Sequence, residues 1–189
     1  MAVGWIIGIS VGVILIILVV WFIAIYNSLI TLKKRGQNAW AQIDVQLNRR
    51  HDLIPNLVNS VKGYMKFEQE TLQKVIDARS KALSSANIKD KMNAENQLTG
   101  ALGRLIAVFE RYPELKANQN VADLMQQLTD TENKIAYARQ FYNDIVTRYN
   151  TKLLVFPANI VANIFHFEEL PLFEVPQEAR NVPKVDLNF

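Results

Sequence analysis

The chain has 189 residues, half of them apolar, with a net charge of +3, no cysteine and a mean hydropathy of +0.02. No charged side chain occurs before Lys33, which excludes a wholly soluble globular protein, because ordinary domains are about 25% charged. The missing cysteines exclude disulfide frameworks, lipoprotein-type acylation, thiolate zinc sites and thiol catalysis.

From Gly4 to Tyr26 the residues are apolar apart from Ser10. A helix of that length reaches roughly 33 Å and crosses a hydrocarbon core of about 30 Å. A cleaved signal peptide is disfavoured, because the run carries no Lys or Arg ahead of it and exceeds the roughly 7–15 residues of a signal core. Trp5 near one end and Trp21 with Tyr26 near the other suit the two headgroup levels. Lys33, Lys34 and Arg35 follow, so the positive-inside rule places the N-terminus outside and the rest of the chain in the cytoplasm. These three cations are expected to sit at anionic headgroups. Gly4, Gly8 and Gly12 form overlapping GxxxG steps, with Ala24 and Ser28 on the same i+4 row. Such a row lets helix backbones approach in lipid and points to homo-oligomerisation.

Leu29, Leu32, Gly36, Ala39, Ile43, Leu47, Arg50, Ile54, Leu57, Val61 and Tyr64 alternate steps of three and four, a heptad seam. The anchor should therefore continue into a stiff cytoplasmic stalk. Pro55 removes the bond to the His51 carbonyl and should kink this helix without ending it, with a break at Gly63–Phe67. A second helix carries Leu72, Val75, Ile76, Arg79, Ala82 and Leu83, and the turn Ser84–Asn87 follows. A third carries Leu98, Leu102, Leu105, Phe109 and Tyr112 and is closed by Pro113. A fourth seam runs Val121, Leu124, Leu128, Thr131, Ile135, Ala138, Tyr142, Ile145 and Tyr149, with Asn118 or Asn120 as its N-cap. Each helix has one apolar stripe, and an elongated antiparallel bundle satisfies them together. Beyond Phe156-Pro157, the residues Ile160, Val161, Ile164 and Phe165 form the apolar face of a short amphipathic helix. Pro171, Pro176 and Pro183 then impose an extended tail. That tail is acidic and the bundle basic, so the two either attract each other or the tail stays solvated. The fold class is all-α: a transmembrane anchor (1–32, span about 4–26), a helical bundle (33–155), and an amphipathic segment with an acidic tail (156–189).

Asn38-Ala-Trp-Ala-Gln-Ile-Asp-Val-Gln-Leu-Asn-Arg-Arg-His-Asp-Leu-Ile-Pro-Asn-Leu-Val-Asn59 closely resembles the signature of the LemA family. Thr131-Glu-Asn-Lys-Ile-Ala-Tyr-Ala-Arg-Gln-Phe-Tyr-Asn-Asp144 with Tyr149-Asn150 resembles its second signature. Tyr112–Asn118 and Phe156-Pro157 are similar as well. The resemblance spans nearly the whole chain and implies a bacterial single-pass inner-membrane protein with an elongated cytoplasmic helical bundle and no agreed activity. The pattern is departed from at His166-Phe167, where a small residue such as Gly is expected before the Phe.

Arg50 falls on the apolar seam, and a buried arginine is expensive unless a carboxylate pairs with it. Glu132 and Asp144 on the fourth helix are its candidate partners in a polar layer that fixes helix register, and Arg139 with Asn143 could join. The alternative is that Arg50 snorkels to solvent. No HExxH, P-loop, EF-hand loop or GxSxG is present. His51 and Asp52 point about 100° apart on a helix, so no catalytic, metal or cofactor site is assigned. Basic residues are dispersed with no aromatic interleaving, which argues against nucleic-acid binding.

The leading functional expectation is a non-enzymatic, self-associating scaffold at the cytoplasmic membrane face, with the lipid bilayer and further copies of the chain as partners. The alternative is an adaptor that recruits a membrane protease or signalling protein. A metal-dependent hydrolase using Asp44, His51 and Asp52 is the remote third.

Overall fold

The computed structural model describes residues 2–64 and 68–174. Pro176, Pro183 and the acids beyond Glu174 lie outside the described residues, as does the 65–67 part of the expected helix break. Among the described residues all regular structure is helical, in the order α1 (Ala2–Val61), α2 (Gln69–Leu83), α3 (Ile88–Phe109), α4 (Pro113–Ala117), α5 (Gln119–Leu154) and α6 (Ala158–Ile164). The chain divides into two compact units, one of Met1–Ala41 with Phe141–Leu172, the other of Gln42–Gln140 with the chain from Phe173. α1 and α5 contribute residues to both.

In the first unit, α1 holds a long apolar stretch that is wholly exposed to its surroundings, the one helix among the described residues long and apolar enough to cross a membrane. Past this stretch a small core forms around Leu29, Tyr149, Leu153, Val161 and Ala162, with Phe22, Ile25, Tyr26 and Phe167 packed against it. Gly36 is buried, and a β-carbon placed there would lie 3.0 Å from a Leu170 methyl and 3.7 Å from Val146. The missing side chain is what admits both neighbours. The stretch after α6 is pinned to α5 by side chains that satisfy its backbone. Asn150 donates to the Leu170 carbonyl (2.9 Å) and accepts from the Leu170 N–H (3.0 Å), Tyr149 donates to the Glu168 carbonyl (3.1 Å), and Tyr142 donates to the Pro171 carbonyl (2.7 Å). Burial pushes the Tyr142 hydroxyl up to about 12, so it stays a donor at any ordinary pH.

The apolar face expected for α6 is divided between buried and exposed residues. Ala158, Val161 and Ala162 are its buried residues, while Ile160, Ile164 and the following Phe165 are exposed. α6 ends in a Schellman motif: the Phe167 N–H reaches back to the Ala162 carbonyl (2.9 Å) and the His166 N–H to the Asn163 carbonyl (3.3 Å). That motif puts its C′ residue in the left-handed region, and His166 sits there with φ 50°. This is the physical reason a small residue is expected at that position.

In the second unit, one core joins Ile54, Leu57 and Val61 of α1 to Leu72 and Val75 of α2, Leu98, Leu102 and Leu105 of α3, Leu115 of α4, and Val121, Met125 and Leu128 of α5. Pro55 lies inside α1 without ending it. The carbonyl that it leaves without a partner, His51 O, accepts instead from Arg79 Nε of α2 at 2.9 Å. Ile76 and Leu83 of the expected α2 stripe are exposed, and the buried residues are Leu72, Val75 and Ala82. Pro113 opens the one-turn α4 rather than closing α3, its fixed φ and missing N–H suiting a first helical turn. Asn87 caps α3 by accepting from the Asp90 N–H (2.8 Å), and Asn118 caps α5 through the Val121 N–H (3.3 Å). Along α5, Met125 and Val146 are buried where Leu124 and Ile145 were expected to be.

Left-handed backbone costs a non-glycine residue about 1–2 kcal/mol, and the exposed His166 side chain offers little in return. His166→Gly should therefore raise stability by about 1 kcal/mol, and His166→Val should lower it. Thermal melts of the two variants beside the parent check the sign.

Candidate functional site

α1, α3 and α5 bring Arg50, His51, Glu95 and Glu132 together in the second unit. On α3, Glu95 stands three residues before Leu98 in the stripe Leu98, Leu102, Leu105, so helical spacing alone turns it inward. Arg50 and Glu95 are both fully buried (0% exposed), and Glu132 is 18% exposed. Arg50 Nη1 donates to Glu132 Oε1 at 2.7 Å and to Thr99 Oγ1 at 2.8 Å. Its Nη2 pairs with Glu95 Oε2 and also reaches the Glu95 carbonyl at 3.4 Å. The second carboxylate oxygen of Glu95 lies 2.8 Å from His51 Nε2. An ionised Glu95 can only accept, so Nε2 carries the hydrogen.

Two effects oppose each other at Glu95. Burial alone would raise its carboxyl, but the His51 hydrogen bond and the charges of Arg50 and His51 outweigh that and hold it below the ordinary carboxylate range. Arg139 flanks the layer, donating from Nη1 to Asn96 Oδ1 (2.9 Å), with its guanidinium 4.6 Å from the Phe173 ring centre. Burial and repulsion from Arg50 lower Arg139 to about 10, against the attraction of Glu132 and Glu95. It remains a cation at neutral pH, so two arginines face two glutamates.

The expected sites are placed as follows. Arg50 and Glu132 are brought together. Asp144 is exposed and belongs to the other unit, with no part in the Arg50 contacts. Asp44 pairs with Lys91 at 2.5 Å, Asp52 is exposed, and His51 turns to Glu95, so the three residues named for a hydrolase are not assembled. Among the described residues no group of three or more His, Asp or Glu is placed to hold a metal ion. Gly4, Gly8 and Gly12 have nothing of the chain within 4 Å of where a β-carbon would sit, and Ala24 is exposed. At Ser28 the row meets the chain itself, since Lys152 Nζ donates to Ser28 Oγ. Lys34 and Arg35 are exposed, and Lys33 Nζ lies 5.8 Å over the Phe167 ring.

Glu95, Thr99 and the Arg79 bond to the His51 carbonyl are absent from the sequence reading. For Glu95 the signal was present, since it continues the α3 stripe by one step.

Residues 39–187 match the family model described as LemA family. A protein named Protein LemA from Metamycoplasma hominis is 30% identical over 164 residues, covering 86% of this chain and 73% of that protein. The chain belongs to the LemA family. It is also similar to Magnetosome protein MamQ 2 of Paramagnetospirillum magneticum, 26% identical over 192 residues (86% of this chain, 71% of that protein). Magnetosome protein MamQ of Magnetospirillum gryphiswaldense is 23% identical over 174 residues (78% and 64%). The stretch matched as LemA includes Arg50, His51, Glu95 and Glu132, while the Gly4–Tyr26 apolar run precedes it.

Removing one partner of a buried pair leaves an uncompensated charge and costs about 3–5 kcal/mol. Arg50→Met and Arg50→Ala should each lose that much in thermal or denaturant unfolding, and melts matching wild type would remove the pair's energetic role. Because the folded Glu95 carboxyl is depressed, its contribution is complete above its unfolded value near 4.5 and is lost as pH falls through the folded value. Glu95→Gln should therefore be destabilised at neutral pH and should lose part of the acid dependence seen in wild type, as denaturation midpoints collected across the acid range will show.

Proposed function

We propose that this chain is a non-enzymatic, single-pass membrane protein that self-associates as a scaffold at the cytoplasmic face of the inner membrane. Its N-terminus lies outside, and the helices after Lys33 form an antiparallel bundle on the cytoplasmic side. Family membership and the exposed apolar stretch of α1 point to membrane association. The observation that carries self-association is the open glycine row. With nothing of the chain within 4 Å of the β-carbon positions at Gly4, Gly8 and Gly12, a second helix can approach along that face and gain backbone dispersion contacts.

The Arg50 layer supports a structural role over a catalytic one. Both oxygens of Glu95 are taken, one by Arg50 and one by His51, and neither Arg50 nor Glu95 is reached by solvent. A general base needs a free lone pair within reach of a substrate. The layer instead fixes helix register, because a one-turn slip would strand a guanidinium among leucines. An adaptor reading has one observation in its favour, a groove lined by Gln42, Val45 and Gln46 of α1 with Lys134, Tyr137 and Ala138 of α5. Val45 and Tyr137 there are both apolar and exposed.

Chemical cross-linking in native membranes should give a ladder of multiples of the chain mass, and Gly8→Ile should weaken it. A strictly monomeric wild type, in membranes and in nanodiscs, would contradict the scaffold.

A further inference from the structure

No Asp, Glu, Lys or Arg lies between Lys152 and Glu168, a second charge-free stretch far from the first. In the first unit this stretch forms the end of α5, the turn at Phe156-Pro157, and α6. Only its Leu153, Ala158, Val161 and Ala162 are buried in protein. Leu154 (69% exposed), Val155, Phe156 (78% exposed), Ile160, Ile164 and Phe165 face outward. A soluble protein has no use for so many large apolar side chains in one run of sequence.

Contacts within the same unit fix where this face lies along α1. Val146 stands at Gly36 and Lys152 at Ser28, so α5 advances toward the apolar end of α1 as it nears Leu154. The Phe165 ring is then 4.6 Å from Tyr26 and 6.0 Å from Phe22, centre to centre. At 1.5 Å per residue those two positions are about 10 and 16 Å nearer the apolar end of α1 than Lys33. Along α1, Ser28, which Lys152 reaches, and Lys33, Lys34 and Arg35 all come after Tyr26, as a collar at headgroup height would. Amphipathic segments lying in an interface bury their apolar face about 5–10 Å past that height.

We propose that the α5–α6 corner and the outer face of α6 are a second membrane contact, inserted into the cytoplasmic leaflet beside α1, with lipid acyl chains as the occupant. Continuity with the spanning stretch selects lipid over a protein partner, because the face begins at the depth where α1 is already apolar all round. The domain would then be held to the bilayer at two places, and its tilt about α1 would be restricted. This rests on the reading that α1 spans the membrane.

The chain has no cysteine, so single-cysteine variants need no other change. Full-length Phe156→Cys, Ile164→Cys, Ile16→Cys and Leu83→Cys are spin-labelled and reconstituted in vesicles of phosphatidylcholine and phosphatidylglycerol. Collision with oxygen, which partitions into lipid, is compared with collision with a water-soluble nickel chelate. Ile16 reports the span, and Leu83 reports an exposed apolar residue in the other unit. The expected result is an oxygen-to-nickel ratio at Phe156 and Ile164 several-fold above that at Leu83 and approaching that at Ile16. Water-like values at Phe156 and Ile164 with lipid-like values at Ile16 overturn the second contact and leave the span standing. Protection from both probes at Phe156 and Ile164 also overturns it, since a protein surface then covers the face. Water-like values at Ile16 overturn the spanning reading and this proposal with it.

Discussion

A guanidinium with no access to water has to be neutralised where it stands, and most of what is distinctive in residues 42–140 follows from that at Arg50. Its partners come from two other helices, Glu95 of α3 and Glu132 of α5, with Thr99 of α3 accepting a further hydrogen bond. His51, next in sequence, cannot share Arg50's direction on the helix and reaches the other oxygen of Glu95 instead. Pro55, one turn on, frees the His51 carbonyl, and Arg79 of α2 answers it. Three helices, α2, α3 and α5, are thereby tied to one turn of α1 by directional bonds, in a core whose other contacts are apolar and tolerant of sliding. Buried ion pairs of this kind add little net stability over well-packed apolar residues, but breaking one is costly. That asymmetry suits a device that rejects wrong registers.

The other unit answers to a second constraint, the passage of α1 from an exposed apolar stretch into a packed core. α1 is apolar all round where it is exposed and one-faced where it meets protein, and the change comes near Leu29. Gly36 gives up a side chain so that Val146 and Leu170 can close on it. Tyr142, Tyr149 and Asn150 spend their polar atoms on the backbone of residues 168–171, a stretch without helical bonds of its own. His166 tolerates a left-handed φ to complete the Schellman turn and bring Phe167 back beside Tyr26 and Lys33.

Long periodic segments were the legible part of the fold. The seam from Leu29 to Val61 is read in phase through Pro55 because its residues are large, regularly spaced and bounded by charge. On α5 the buried residues include Met125 and Val146, each next to an expected seam residue, Leu124 or Ile145, that is half-buried. On α6 the spacing leaves a different question open. Apolar spacing places Ile160, Val161, Ile164 and Phe165 on one short face but does not say which of them the protein covers, and of these Val161 is the buried one. At the charged layer, a lone Arg on a seam announced that an acid was needed. Glu132 was within reach of that argument, whereas Asp144 lay too far along α5. Glu95 went unseen because α3 was read from Leu98 onward, and Thr99 carries no signal until the helices are packed.

The most direct measurement is a double-mutant cycle on Arg50 and Glu95 in the full chain, using Arg50→Met, Glu95→Gln and the pair together, with unfolding followed at neutral pH. Contacting charged residues in a shared network couple by about 0.5–3 kcal/mol. A fully buried pair should lie at the upper end of that range, with the double variant more stable than the sum of the two single losses allows. Strict additivity, with coupling indistinguishable from zero, would mean that Arg50 and Glu95 do not act on each other, and would contradict the account of the layer as the element that sets helix register.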